Sequence, residues 1–224
     1  MNICPLNTGE CKGFILPKVK TAFIMAPSAI YQTDEVKDVI EKINDRLSAI
    51  KYKIIDGAKL IRHGDYFCSI CETAQGCALG IAITYEGLPI KTISNIYLET
   101  GIMQGFGKPV ILFVDKKKSL PSDYIRHYAI YFNKSDYLKN YISLLDDIIK
   151  LPERLYKYVG DYALNAGDYE KAAKYYQEAY LINPKKEIKT NLETIVLKLE
   201  NNKGIPVTYK ERLIKNIRYF CSNI

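Results

Sequence analysis

Asn95 and Glu99 stand four residues apart and are the pair in this chain best suited to do chemistry. The spacing predicts that both project from one face of a helix. They lie in Ser94-Asn95-Ile96-Tyr97-Leu98-Glu99-Thr100-Gly101. Ser94 is of a residue type that caps helices, and Gly107-Lys108-Pro109 stops the helix before the next apolar run. A carboxylate held near such a helix start can attack the anomeric carbon of a ribose, or stabilise positive charge there. Asn95 would orient a ribose hydroxyl, and Gly101 would let the helix approach a sheet closely. The competing reading of Glu99 is a solvated glutamate that only complements the helix dipole. Lys108 reads as a cation following a helix C-terminus.

The elements that must position this pair follow from the hydrophobic pattern. Thr21 to Ala26, Lys53 to Ile55, Ala78 to Thr84, Val110 to Val114 and Tyr128 to Phe132 are short apolar runs, the mark of buried strands. Between them, Val36, Val39, Ile40, Ile43 and Leu47 recur at helical spacing after Asp34, which is expected to cap them. Gly64 to Gln75 forms a second helix with Phe67, Ile70, Cys71 and Ala74 on one face. Further helices are expected from Ser94 to Phe106, from Pro121 to Arg126, and from Ser135 to Ile149. Strands alternating with helices predict an α/β fold: a Rossmann- or flavodoxin-like parallel sheet of about five strands with helices on both faces. In such sheets ligands bind outside the carboxyl ends of the strands. The loops after Ala26, Asp56, Thr84 and Val114 would line the pocket, making Pro27, Ser28, Asp56 and Thr84 nucleotide-binding candidates beside Gly101.

Beyond Leu151-Pro152 the strand signals stop. The chain divides into a Cys-bearing leader over 1–17, an α/β domain over 18–150 and an all-helical tail over 151–224, with Pro152 as a first helical residue. The tail helices are expected over 155–165, 169–181, 187–199 and 209–220. Tyr156, Val159, Gly160, Gly167, Tyr169, Ala172, Tyr176, Ala179 and Pro184 fall in a fixed pattern that resembles the tetratricopeptide repeat over one full unit. Small Gly160, Ala172 and Ala179 let two antiparallel helices approach, while Tyr156, Tyr169 and Tyr176 fill the space around them. A single unit cannot bury its own face. The tail is therefore expected to bind a protein partner, to self-associate through 152–200, or to act as a stabilising lid.

The segment Asn95 to Gly101, followed by Gly107-Lys108-Pro109-Val110, resembles the nucleoside 2-deoxyribosyltransferase superfamily and its TIR-like relatives. The resemblance extends weakly over 20–148, through F-I-M-A-P-S, Gly64-Asp65, G-I-A-I-T and Leu120-Pro121-Ser122-Asp123. It implies a protein that binds a nucleoside, a nucleotide or NAD and breaks an N-glycosidic bond, with Glu99 and Asn95 as catalytic residues. The family carries an acid two residues before the Thr that closes the third strand, and here that position is Ala82. The departure admits an alternative: a nucleotide-sensing adaptor without turnover, or a scaffold in which the repeat is the functional surface.

The chain has 224 residues, 48% of them hydrophobic and 25% charged, the balance of a globular protein. No apolar stretch is long enough to span a membrane, and the polar start lacks a secretory core. The expectation is a cytoplasmic homo-oligomer. The net charge of +7 is dispersed, with only Lys116-Lys117-Lys118 forming a run, which argues against nucleic acid. Of the 6 cysteines, Cys4, Cys11, Cys68 and Cys71 (or Cys77) could hold zinc or an iron–sulfur cluster. The alternative reading of Cys71 is a small buried thiol. His63 and His127 are isolated and read as surface histidines.

Overall fold

The computed structural model describes residues 15–57, 66–115, 128–132 and 136–223. The chain separates into two compact units, Met1–Ile148 and Ile149–Ile224.

In the first unit, β1 (Thr21–Met25), β2 (Lys53–Asp56), β3 (Leu79–Thr84), β4 (Val110–Asp115) and β5 (Tyr128–Phe132) form one sheet in the order β2-β1-β3-β4-β5. Every neighbouring pair is parallel. Strands β1 and β3 are buried along their whole length, which explains their unbroken apolar sequences: a parallel strand is covered on both faces. The expected α/β fold with a five-stranded parallel sheet is therefore the observed one.

The described residues that pack on this sheet include helices α1 (Asp34–Ala49), α2 (Tyr66–Gly76) and α3 (Ile90–Gly105). Thr33, not Asp34, caps α1, its side chain accepting from the Val36 N–H. Val36, Val39, Ile43 and Leu47 form the buried stripe. The helix ends in a left-handed residue, Lys51 (φ 64°), with the Tyr52 N–H donating to Leu47 O at 2.8 Å and the Lys51 N–H to Ser48 O at 2.9 Å. Helices α2 and α3 touch each other and cover the same sheet face. Ala74 of α2, Ile96 and Met103 of α3, and Phe23, Met25, Ala82, Val110, Leu112 and Val114 of the sheet form one apolar cluster between them. Right-handed crossovers put α1 on the opposite face.

In the second unit, Ile149 onward continues the long helix α4 (Asp136–Asn165), followed by α5 (Tyr169–Ile182), α6 (Lys186–Asn201) and α7 (Val207–Asn223). The sequence places two helices where α4 is one, because Pro152 reads as a helix start. In fact it lies inside the helix, at the cost of one backbone hydrogen bond.

Helix α4 packs antiparallel to α5. Asp161 Oδ1 accepts from the Tyr176 hydroxyl at 2.6 Å, and Glu153, almost wholly buried, accepts from Asn183 Nδ2 at 2.9 Å and Lys185 Nζ at 2.5 Å. The rings of Tyr156 and Tyr175 lie 5.8 Å apart. Gly160 is the point of closest approach, since a Cβ there would meet Tyr176 Cε1 at 2.8 Å. Asp168 caps α5 by accepting from the Lys171 N–H at 3.1 Å, after Gly167 (φ 77°) has turned the chain. Helix α6 packs on α5, and α7 on both α5 and α6.

Candidate functional site

The strand order reverses between β1 and β3, so their exits lead in opposite directions, and it is outside the carboxyl edge at such a switch point that parallel α/β sheets take their ligands. The sheet brings Pro27 and Ser28 (after β1), Asp56 (the end of β2) and Thr84 (the end of β3) to this one edge, as the sequence predicts. Pro27 is buried, Ser28 exposed and Asp56 half-buried.

The loop after β1 is braced from within. Tyr31 N–H donates to Ser28 O at 2.8 Å and Gln32 Nε2 to Pro27 O at 2.6 Å. It is braced also from across the switch point, because the Tyr85 hydroxyl donates to Tyr31 O. Gly87 (φ 92°) then turns the chain toward α3.

Helix α3 begins a full turn earlier than the sequence suggests, at Ile90 with Pro89 as its cap. Ser94 is an interior residue whose hydroxyl bonds back to Ile90 O at 2.9 Å. Proline supplies a fixed φ at the boundary, and this outranks the capping preference of a serine that can satisfy itself within the helix. Asn95 and Glu99 therefore sit in the second and third turns rather than at the dipole end.

The two side chains also differ in environment. Asn95 is exposed, whereas Glu99 is 7% exposed and shares the buried face with Ile96, Thr100 and Met103. The solvated reading of Glu99 is excluded. The neighbouring Thr100 hydroxyl donates to Ile96 O at 2.8 Å and reaches the Met25 sulfur at 3.8 Å. That contact sets Thr100 beside Met25, which pairs with Ala82 in the sheet.

Thr84 is buried on the same sheet face as Ala82, with the Tyr97 hydroxyl close to its own. The contact falls short of good hydrogen-bond geometry at Thr84 Oγ1. Burial raises the Tyr97 phenol above its ordinary value, and the Thr84 contact offsets part of that. Tyr97 was legible as chemistry only by helical phase: it lies one turn before the Thr100–Glu99 face and under the exit of β3.

Two expectations are corrected here. Gly101 faces solvent, so it is not what lets α3 approach the sheet. Gly80 is: a Cβ there would stand 3.0 Å from both Met25 Cε and Val110 Cγ2 and 3.2 Å from Met103 Cε. Lys108 is not a solvated helix-end cation but is 5% exposed, its N–H donating to Met103 O at 3.0 Å.

Ala82 is fully buried in the apolar cluster of Met25, Ile96 and Met103. A carboxylate at that position would face these side chains rather than water.

Cys68 and Cys71 are half-buried and one turn apart on α2, whereas Phe67, expected on the apolar face, is 40% exposed. Cys77 is fully buried at the amino edge, and burial pushes its thiol up to about 12 despite the nearby Lys108 and Lys53 ammoniums. Cys68 and Cys71 supply two donors, and Cys4 and Cys11, the other two of the predicted set, lie outside the described residues. Among the described residues no three His, Cys, Asp or Glu side chains converge on a metal-sized point. His63, Asp65, the lysine run 116–118, the segment 120–126 and His127 also lie outside them. Among the described residues no helix is long and apolar enough to cross a membrane.

No family model, curated protein or solved structure matches the chain.

Proposed function

We propose that the α/β unit binds a nucleoside, nucleotide or NAD-like molecule at the β1–β3 switch point and cleaves its N-glycosidic bond. Glu99 is the nucleophile or the stabiliser of the oxocarbenium ion. The observation that carries this reading is the burial of Glu99 on the helix leaving the switch-point strand. Withdrawing a carboxylate from water costs several kcal/mol, about the size of a small domain's whole stability margin. Glutamate on a sheet-facing helix stripe is thus a poor choice for packing and a good one for charge stabilisation.

Asn95, one turn nearer the carboxyl edge and exposed, would meet the sugar hydroxyls. Ser28 and Thr84 contribute hydroxyls at the strand ends, and Pro27, Asp56 and Gly101 complete the proposed set. The attack of Glu99 on the anomeric carbon forms a glycosyl ester as the base leaves, and the base takes its proton from water. Water or a second base then displaces Glu99. The helical unit recruits a protein partner or a second copy, and its Gly160–Tyr176 packing is what a tetratricopeptide-like unit requires.

A second reading is favoured by Ala82. Its burial among apolar side chains means that β3 offers no acid at this position, which suits a nucleotide-sensing adaptor that binds without turnover.

The test is to incubate the chain with nucleosides, nucleoside monophosphates and NAD and to separate free base by chromatography. Release of base by the native chain and none by a folded Glu99→Gln variant supports the enzyme. Release by both ends the role of Glu99. Calorimetric binding without any release moves the assignment to the adaptor.

A further inference from the structure

Helix α4 carries two apolar faces, and the α4–α5 hairpin uses one. Ile149, Pro152, Glu153, Gly160 and Ala163 form the buried side. Well around the helix from them, Leu151, Leu155, Tyr158 and Tyr162 are 42%, 50%, 70% and 68% exposed. Their spacings of four, three and four are those of a heptad seam, in which successive knobs stay aligned along one line of a helix. An exposed seam of this regularity, half of it tyrosine, has the composition of an interface core rather than of a solvated surface.

We propose that this seam is a homodimer contact in which α4 of one copy lies antiparallel to α4 of a second. It narrows the association proposed above for the helical unit to one partner and one surface. The charges beside the seam choose both the partner and the direction. Arg154 is exposed, and Asp161, which within its own copy pairs with Lys157 at 3.0 Å and accepts from the Tyr176 hydroxyl, keeps 40% of its side chain exposed; both flank the seam on the same side. Antiparallel packing sets Leu155 against Tyr158 of the second copy and Leu151 against its Tyr162. It then brings Arg154 beside Asp161 of the second copy, and the two-fold axis repeats the pair at the other end. Parallel packing would set Arg154 against Val159 and form no ion pair. A segment that is complementary to itself only when reversed is the signature of an isologous contact.

Analytical ultracentrifugation of the full chain across roughly 1–100 µM, with and without added salt, tests this. The native chain is expected to sediment as a dimer that salt weakens. Tyr158→Glu/Tyr162→Glu should be monomeric with an unchanged circular dichroism spectrum, since neither side chain is buried in the single chain, and should lose the concentration dependence of its melting temperature. Arg154→Glu should weaken the dimer at least tenfold and remove much of its salt dependence. A native chain monomeric at the top concentration overturns the proposal and leaves only another protein as the seam's occupant. A dimer that persists in the double tyrosine variant also overturns it, while leaving self-association through a different surface intact.

Discussion

Gly160→Ala is the substitution that most directly tests how the helical unit is held together. The added methyl would sit 2.8 Å from Cε1, 2.9 Å from Cδ1 and 3.2 Å from Cζ of Tyr176, where carbons normally keep about 3.5–4.0 Å. The ring cannot swing freely, because Tyr176 is 1% exposed and its hydroxyl is tied to Asp161 Oδ1 at 2.6 Å. Either α4 and α5 move apart or that hydrogen bond loosens. Overpacking of this kind costs about 1–3 kcal/mol, and weakening a bond to a carboxylate adds about 1 kcal/mol. Alanine returns about 1 kcal/mol through helix propensity. The expected net loss is about 2 kcal/mol, which lowers the melting temperature of a unit this size by about 8–16 °C. Thermal melting followed by circular dichroism at 222 nm reads it. Gly105→Ala is the control, because its Cβ meets nothing within 4 Å and the same propensity gain should appear unopposed. In a Tyr176→Leu background the cost of Gly160→Ala should shrink. A Gly160→Ala chain that melts at or above the native temperature would refute the close-approach argument.

Three further outcomes are expected. Lys51→Gly should stabilise the chain by about 0.5–1 kcal/mol in urea unfolding, since Lys51 holds φ 64° at the end of α1 where glycine pays no steric cost. Cys77 should resist alkylation in the native chain at pH 8 while Cys68 and Cys71 react. Its folded thiol is raised to about 12 from an ordinary 9.0, so the unfolded chain releases the proton first. Stability from this group is present below pH 9, falls as pH rises toward 12, and loses that slope in Cys77→Ala. Ala82→Asp should destabilise by about 3 kcal/mol or more if position 82 is as dry as its neighbours Met25, Ile96 and Met103 imply. A folded Ala82→Asp chain of native stability would show instead that water reaches this rung.

The sequence alone determined the elements and their kind. Unbroken apolar runs such as Leu79–Thr84, short and followed by a turn at Gly87, read as strands covered twice, and stripes such as Val36–Leu47 as helices covered once, because burial pattern and backbone period are both local properties of the chain. Gly160 facing a tyrosine was legible for the same reason: a small residue at hairpin spacing needs a large one opposite. The strands' carboxyl ends, and with them Pro27, Ser28, Asp56 and Thr84, followed from parallel topology. What the sequence left open was decided by side chains far apart along it. Asn95 and Glu99 share a spacing but not an environment, since the start of α3 at Ile90 and the path of Met25 and Ala82 beneath it set which is covered. Gly80 rather than Gly101 admits the helix, because only the packed structure shows which glycine faces the helix–sheet seam. Pro152 sits within α4 instead of opening a helix, because packing on both sides of it outweighs one lost hydrogen bond, a sum that no local window contains.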